Sequence, residues 1–132
     1  MARNPRRPRR ALLAGAFDLV AVILFVVVGR AVHHEPGDFV DFLVTLWPFV
    51  TGLVIGWLAA QAWRRPFRLP LPGIPIWVIT VVGGMMFRVA SSQGVAWAFV
   101  GVAAGTLGVL FLGWRAIALV SVRGAVPAAG RS

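Results

Sequence analysis

The sequence contains no cysteine, no lysine and no tyrosine, and only 4 of its 132 residues are acidic. Without cysteine there is no disulfide, no thiolate metal site and no thiol nucleophile, and the redox compartment leaves no mark. The missing lysine and tyrosine exclude amine and phenol catalysis. The ionisable side chains that remain are arginine, His33, His34, Asp18, Glu35, Asp38 and Asp41. Charge is sparse throughout, at 13% of residues against 59% hydrophobic. A soluble domain is nearer half apolar and a quarter charged, and could not cover this much apolar surface.

What is present is arginine, and its placement is informative. All 13 basic residues are arginine, giving a formal net charge of +9. Most fall in three segments: Arg3, Arg6, Arg7, Arg9 and Arg10; Arg64, Arg65 and Arg68; Arg115, Arg123 and Arg131. Apolar runs separate them, each close to the ~20 residues a helix needs to cross ~30 Å of hydrocarbon. No run alternates apolar with polar residues as a barrel strand does, and helices are the other structure that satisfies its backbone in lipid. The pattern predicts an all-α membrane protein with four transmembrane helices at about 11–29, 42–63, 74–90 and 95–114. Cytoplasmic segments carry the arginine excess, so both termini are expected to be cytoplasmic. Trp63, Trp77 and Trp114 are expected at the inner interface, Trp47 and Trp97 at the outer one, and Trp57 deeper, in a helix contact. Gly29 to His33 offers no small-x-small cleavage site, so the first span reads as retained rather than as a signal peptide.

Residues 1–10 read as a flexible basic tail, because Pro5 and Pro8 oppose a helix. Residues 11–115 form the transmembrane domain and 116–132 a short C-terminal tail. Because the arginines flank hydrophobic runs instead of patterning a folded face, the expected partner is anionic membrane lipid at the basic tail, not nucleic acid. Pro48 is expected to kink or start the second helix. Gly52 and Gly56 in span two, and Gly101 and Gly105 in span four, have the spacing of helix-packing stripes, within one chain, in a homo-oligomer or against another membrane protein.

Few residues are left to carry chemistry. Asp18 lies about 10 Å inside the first span, where a carboxylate costs about 3 kcal/mol on insertion scales. Thr80 and Thr106 lie at a similar depth, so a cluster of Asp18, Thr80 and Thr106 could relay protons or ions. Alternatively Asp18 holds helices together, or reaches an inner arginine such as Arg64 or Arg115. At the outer side, Arg30 and Arg88 with Asp38 and Asp41 are candidate ion or anion contacts, Arg88 extending its charge toward the interface. His33 and His34 stand beside carboxylates, but their spacing matches no metal-ligand motif, and Pro36-Gly37 suggests a solvated turn. No phosphate loop, nucleophile elbow or zinc signature occurs, so no cofactor and no metal are expected.

Several short pieces resemble one family: Phe17-Asp18-Leu19, Gly29-Arg30 with His33 and His34, Thr45-Leu46-Trp47-Pro48-Phe49, Gly84-Met85-Met86-Phe87-Arg88, Gln93-Gly94, Ala98-Phe99-Val100 and Gly113-Trp114-Arg115. Together they are similar to the small bacterial membrane proteins grouped as domain of unknown function 3054. The resemblance spans about residues 17–115 and implies a multi-span protein of the cytoplasmic membrane, with no reaction or ligand attached. It places Asp18, Arg30, Trp47, Pro48, Arg88 and Arg115 in a shared pattern. The sequence is therefore read as a structural or accessory membrane component, not an enzyme. A transporter or channel subunit using Asp18, or an enzyme acting on lipid head groups at the outer face, are the alternatives.

Overall fold

The computed structural model describes residues 6–34 and 36–125, which are all helix, turn or loop. Four helices, α1 (Arg6–Val32), α2 (Phe39–Ala60), α3 (Ile74–Ala90) and α4 (Trp97–Ala125), account for most of them. A 3-10 turn (Ala62–Arg64) and a proline-rich turn (Leu69–Gly73) join α2 to α3. Four segments are long and apolar enough to cross a membrane. Neighbours pack in a closed ring, α1 on α2, α2 on α3, α3 on α4 and α4 back on α1. The start of α1, the connection 61–73 and the end of α4 meet at one end, here termed the basic end; the connections 33–38 and 91–96 form the other.

The helix ends differ from the sequence expectation for local reasons. α1 begins at Arg6, so part of the expected flexible tail is helical. Pro8 sits in the first turn, where its missing N–H would have no intrahelical acceptor in any case. Residues 1–5 of that tail lie outside the described residues. α2 starts at Phe39 because Asp38 caps it: Asp38 Oδ1 accepts from the Val40 and Asp41 amides, and Asp41 Oδ2 accepts from the Asp38 amide. It stops before Gln61, which is left-handed at φ 49°. The third boundary, Ile74–Ala90, agrees with the sequence. α4 continues well past Arg115, because the end of an apolar run is not the end of helix-forming residues. The expected C-terminal tail is thus helical to Ala125, and residues 126–132 lie outside the described residues.

Pro48 neither starts nor ends α2 but lies inside it, fully buried. A proline has no N–H to give the carbonyl four residues back, here Val44. That carbonyl instead accepts a 3.0 Å hydrogen bond from Gln93 Nε2, reaching over from the α3–α4 connection. This meets the demand that a helix in lipid leave no backbone group unpaired.

The α2–α3 seam is the closest in the bundle. A Cβ on Gly52 would stand 2.9 Å from the Thr80 carbonyl, and one on Gly56 3.3 Å from Ile76 Cα. Gly84 opposes the Phe49 ring on the same seam. The Gly52 and Gly56 stripe is therefore a helix contact within the chain. Among the described residues, Gly101 and Gly105 have nothing within 4 Å of their Cβ positions, so no close helix contact within the chain is seen at this stripe. The α4 glycine that does matter is Gly108, which leaves room for Trp77: the indole lies 3.0 Å from its Cβ position and donates to the Ala104 carbonyl at 2.8 Å. Val22, Phe25, Phe49, Ile76, Leu107 and Phe111 fill the interior.

Candidate functional site

Asp18 is completely buried, and every hydrogen bond it makes is accepted from a named donor. Arg115 Nη1 donates to Oδ1 at 2.8 Å and Nη2 to Oδ2 at 2.7 Å, a bidentate ion pair with both side chains fully buried. Trp114 Nε1 donates to Oδ1 and Trp57 Nε1 to Oδ2, each at 2.8 Å. Four donors from two helices thus surround one carboxylate carried by a third. Arg115 is held in turn: Nε donates to the Pro66 carbonyl at 3.0 Å and Nη1 to the Phe111 carbonyl at 3.1 Å. Its guanidinium carbon lies 4.4 Å from the centroid of the Trp114 ring, which stacks on Phe17 at 5.2 Å and meets Phe67 edge-on.

This clasp ties α1, α2, α4 and the loop between α2 and α3. It is possible because Gly73 lacks a side chain where Arg115 passes, its Cβ position lying 3.3 Å from Arg115 Cδ. Charge-assisted bidentate bonds are among the strongest polar contacts, and here they replace the water that both charges would otherwise need.

The structure does not bring Asp18, Thr80 and Thr106 into one cluster. Asp18 is occupied by arginine and tryptophan, and Thr80, buried on the α2–α3 seam, has a hydroxyl without a hydrogen-bond partner among the described residues. Thr106 lies elsewhere, along an apolar groove between α1 and α4 with Leu24, Val28 and Leu110. Equal depth in four helices says nothing about which faces turn toward one another. Of the two inner arginines named for Asp18, it is Arg115 that arrives. Arg115, expected from the sequence among the basic residues flanking the fourth span, belongs instead to the interior. Trp114 and Trp57 likewise serve the clasp. The sequence expectation put Trp114 at the inner interface and Trp57 in a helix contact, and neither was named as a donor to Asp18.

At the opposite end, Arg30 Nη1 donates to Thr45 Oγ1 at 2.9 Å, and Arg88 donates to Gln93 Oε1 at 3.2 Å and to the Gly94 carbonyl at 3.3 Å. Arg88 also stands over the Phe99 ring at 4.7 Å. Both arginines are half-buried and line a cavity of about 790 Å³ with His33, Thr45 and Gln93, floored by Phe25, Phe49 and Phe99. Asp38 and Asp41 cap α2 beside it, so their established role is in the helix start. Glu35 lies outside the described residues.

Comparison with known proteins adds a family and no activity. A family model described as "Protein of unknown function (DUF3054)" matches residues 15–118, and the chain belongs to that family. The match takes in Asp18, Trp57, Trp114 and Arg115 together. No curated protein and no solved structure matches the chain.

Proposed function

We propose that this DUF3054 protein is a structural or accessory component of the bacterial cytoplasmic membrane, without catalysis of its own, and with both termini on the cytoplasmic side. The observation that carries this reading is the closure of the clasp. Asp18 is the only buried acid among the described residues, and all its acceptor capacity meets donors inside the bundle. A relay residue must exchange its partners with water or with a travelling ion. A carboxylate fixed by four N–H donors is instead a packing device that sets how α1, α2 and α4 sit. The arginine bias between the two ends supports the orientation.

The experiment is Asp18→Asn in membrane vesicles and in purified protein. The accessory reading expects lowered folded yield and stability with no specific flux to lose. A variant that stays folded while proton- or ion-dependent flux disappears would transfer the assignment to a transporter or channel subunit. Reporter fusions at both termini should be cytoplasmic, and a tag after Gly37 should be accessible from outside; an external C-terminus overturns the orientation.

A second reading has its own observation. The cavity of about 790 Å³ at the end opposite the basic residues combines Arg30, Arg88 and His33 with an aromatic floor, a composition suited to a lipid head group and a chemistry acting on it. Unchanged lipid composition in cells carrying His33→Ala would remove that reading.

A further inference from the structure

The end opposite the basic residues holds a space that changes character along its length. Its wide part, the cavity of about 790 Å³, is lined by Arg30, Arg88, His33, Thr45 and Gln93 over a phenylalanine floor. From it a groove of about 230 Å³ runs inward between α1 and α4, walled by Leu24, Val28, Val32 and Leu110 with the Thr106 side chain. Phe25, Gly29, His33 and Val102 line both, so the two parts are one continuous space. Arg30 and Arg88 are anchored by bonds within the chain, and it is the surface they present to the cavity that makes this end polar. From Leu24 to Val32 on α1 and from Val102 to Leu110 on α4 the groove covers about 12 Å at 1.5 Å per residue. That is close to the half of a ~30 Å hydrocarbon core that one leaflet occupies. Gly29 stands where the two parts join, inside a helix, with nothing within 4 Å of its Cβ position among the described residues. Glycine weakens a helix relative to alanine, and no close packing within the chain is seen to need it here. What its missing side chain does is leave the passage from the polar part to the groove open.

Most classes of occupant leave part of this space unmatched. A soluble solute fills the polar part and leaves the groove empty, while a purely apolar chain or helix face presses against polar groups that need polar neighbours. An amphiphile matches both parts at once. Its head lies toward the end of the bundle and its chain toward the bilayer interior, which is the order in which the two parts run. We propose that the space holds one membrane phospholipid, its polar head group in the wide cavity and one acyl chain along the α1–α4 groove, as distinct from the exchanging lipid around the other helix faces. The proposal rests on the membrane reading above and takes the lipid of the second reading without its chemistry. Unchanged lipid composition with His33→Ala removes that chemistry and leaves the site standing.

The test uses the full chain purified in detergent and a phosphatidylglycerol probe carrying a diazirine in the middle of one acyl chain, with labelled peptides mapped by mass spectrometry after irradiation. Label should concentrate on the groove walls, 24–32 and 102–110, saturate, and be displaced by unlabelled phosphatidylglycerol. Gly29→Leu and Val102→Trp, which fill the junction from opposite walls, should each lower groove labelling about tenfold. Gly101→Leu, whose Cβ position is open but which lines neither part, should leave it within about twofold. Thermal unfolding of each variant checks that the bundle is intact. Label spread evenly over the exposed faces of all four helices in the unaltered chain overturns the site in favour of ordinary surrounding lipid, whatever the variants do, and so does an equal loss in Gly101→Leu. Displacement of the label by glycerol 3-phosphate as readily as by lipid overturns the role of the groove and assigns the cavity to a soluble phosphate. A misassigned orientation would show only in the reporter fusions and would leave the label map untouched.

Discussion

Two seams of the same bundle are held by opposite means. α2 and α3 meet backbone to backbone, over Gly52, Gly56, Gly83 and Gly84, with atoms of one helix where a side chain of the other would be. α1 and α4 meet through a polar clasp at the basic end and part at the other end, where a cavity and an apolar groove open between them. In lipid there is no hydrophobic drive to bring helices together, so each seam needs another source of attraction. The first relies on van der Waals contact summed over a long line, the second on a few charge-assisted bonds at one place. A distributed contact should weaken by degrees, and a concentrated one all at once.

The largest expected effect follows from that concentration. Asp18→Asn leaves Arg115 buried beside a neutral group, and breaking one side of a buried pair costs about 3–5 kcal/mol. Arg115→Gln should cost as much, leaving the carboxylate without a counter-ion. The double variant Asp18→Leu with Arg115→Met should recover most of the loss, because neither charge then has to be kept from water. Equilibrium unfolding in mixed micelles measures all three. Additive losses in the double variant would show that the two residues act separately.

Gly52→Ala attacks the other seam. Its Cβ alone would come 2.9 Å from the Thr80 carbonyl, and backbone cannot move aside as a side chain can, so α2 and α3 must separate at about 3 kcal/mol. Gly101→Ala and Gly105→Ala, with open space around them, should change stability by less than about 0.5 kcal/mol. The three variants have the same sequence motif and differ only in what faces it. Equal effects at all three would erase the distinction between the used and the unused stripe.

That pair of stripes also shows how far the sequence could be read. Hydrophobic runs and arginine placement made four helices legible, because length and polarity are properties of a segment alone. Which face of each helix meets which neighbour is a property of pairs. Gly52 and Gly101 look alike in the sequence, and Asp18 at a given depth has several candidate partners, of which Arg115 is one and Thr80 and Thr106 are others. Arg115 carries two conflicting signals, since a Trp-Arg pair ending an apolar run reads as an interface signal and an inner arginine is also a candidate partner for Asp18. Trp63-Arg64 resembles it in sequence, yet those residues face an exposed pocket at the basic end while Trp114-Arg115 turns inward. α4 continues as helix beyond Arg115, which the apolar run did not reveal, and Arg115 is fully buried.

Within the clasp, the two tryptophans can be ranked. Trp57→Phe removes one N–H from a charged acceptor and keeps most of the ring, for a loss of about 2 kcal/mol. Trp114→Phe removes the same kind of donor and also weakens the face on which Arg115 stacks, so it should cost more by about 0.5 kcal/mol. Unfolding midpoints of the two variants compare them directly. An equal loss would mean that the stacked arrangement adds nothing beyond the hydrogen bond.

The smallest of the expected losses at a polar contact tests one that belongs to neither seam. Gln93 reaches from the α3–α4 connection to the Val44 carbonyl that Pro48 leaves without its helical donor. Gln93→Leu strands that carbonyl and should cost about 1 kcal/mol, the usual net value of one hydrogen bond. The same substitution should cost nearly nothing in a Pro48→Ala background, because alanine restores the amide that the carbonyl lacks. Pro48→Ala alone changes packing at a buried position, so the informative quantity is the coupling between the two sites and not either single loss. If Gln93→Leu costs the same in both backgrounds, its role is with Arg88 Nη1, to which its own carbonyl oxygen is bonded at 3.2 Å. The α3–α4 connection would then be fixed by the arginine cavity and not by the proline of α2.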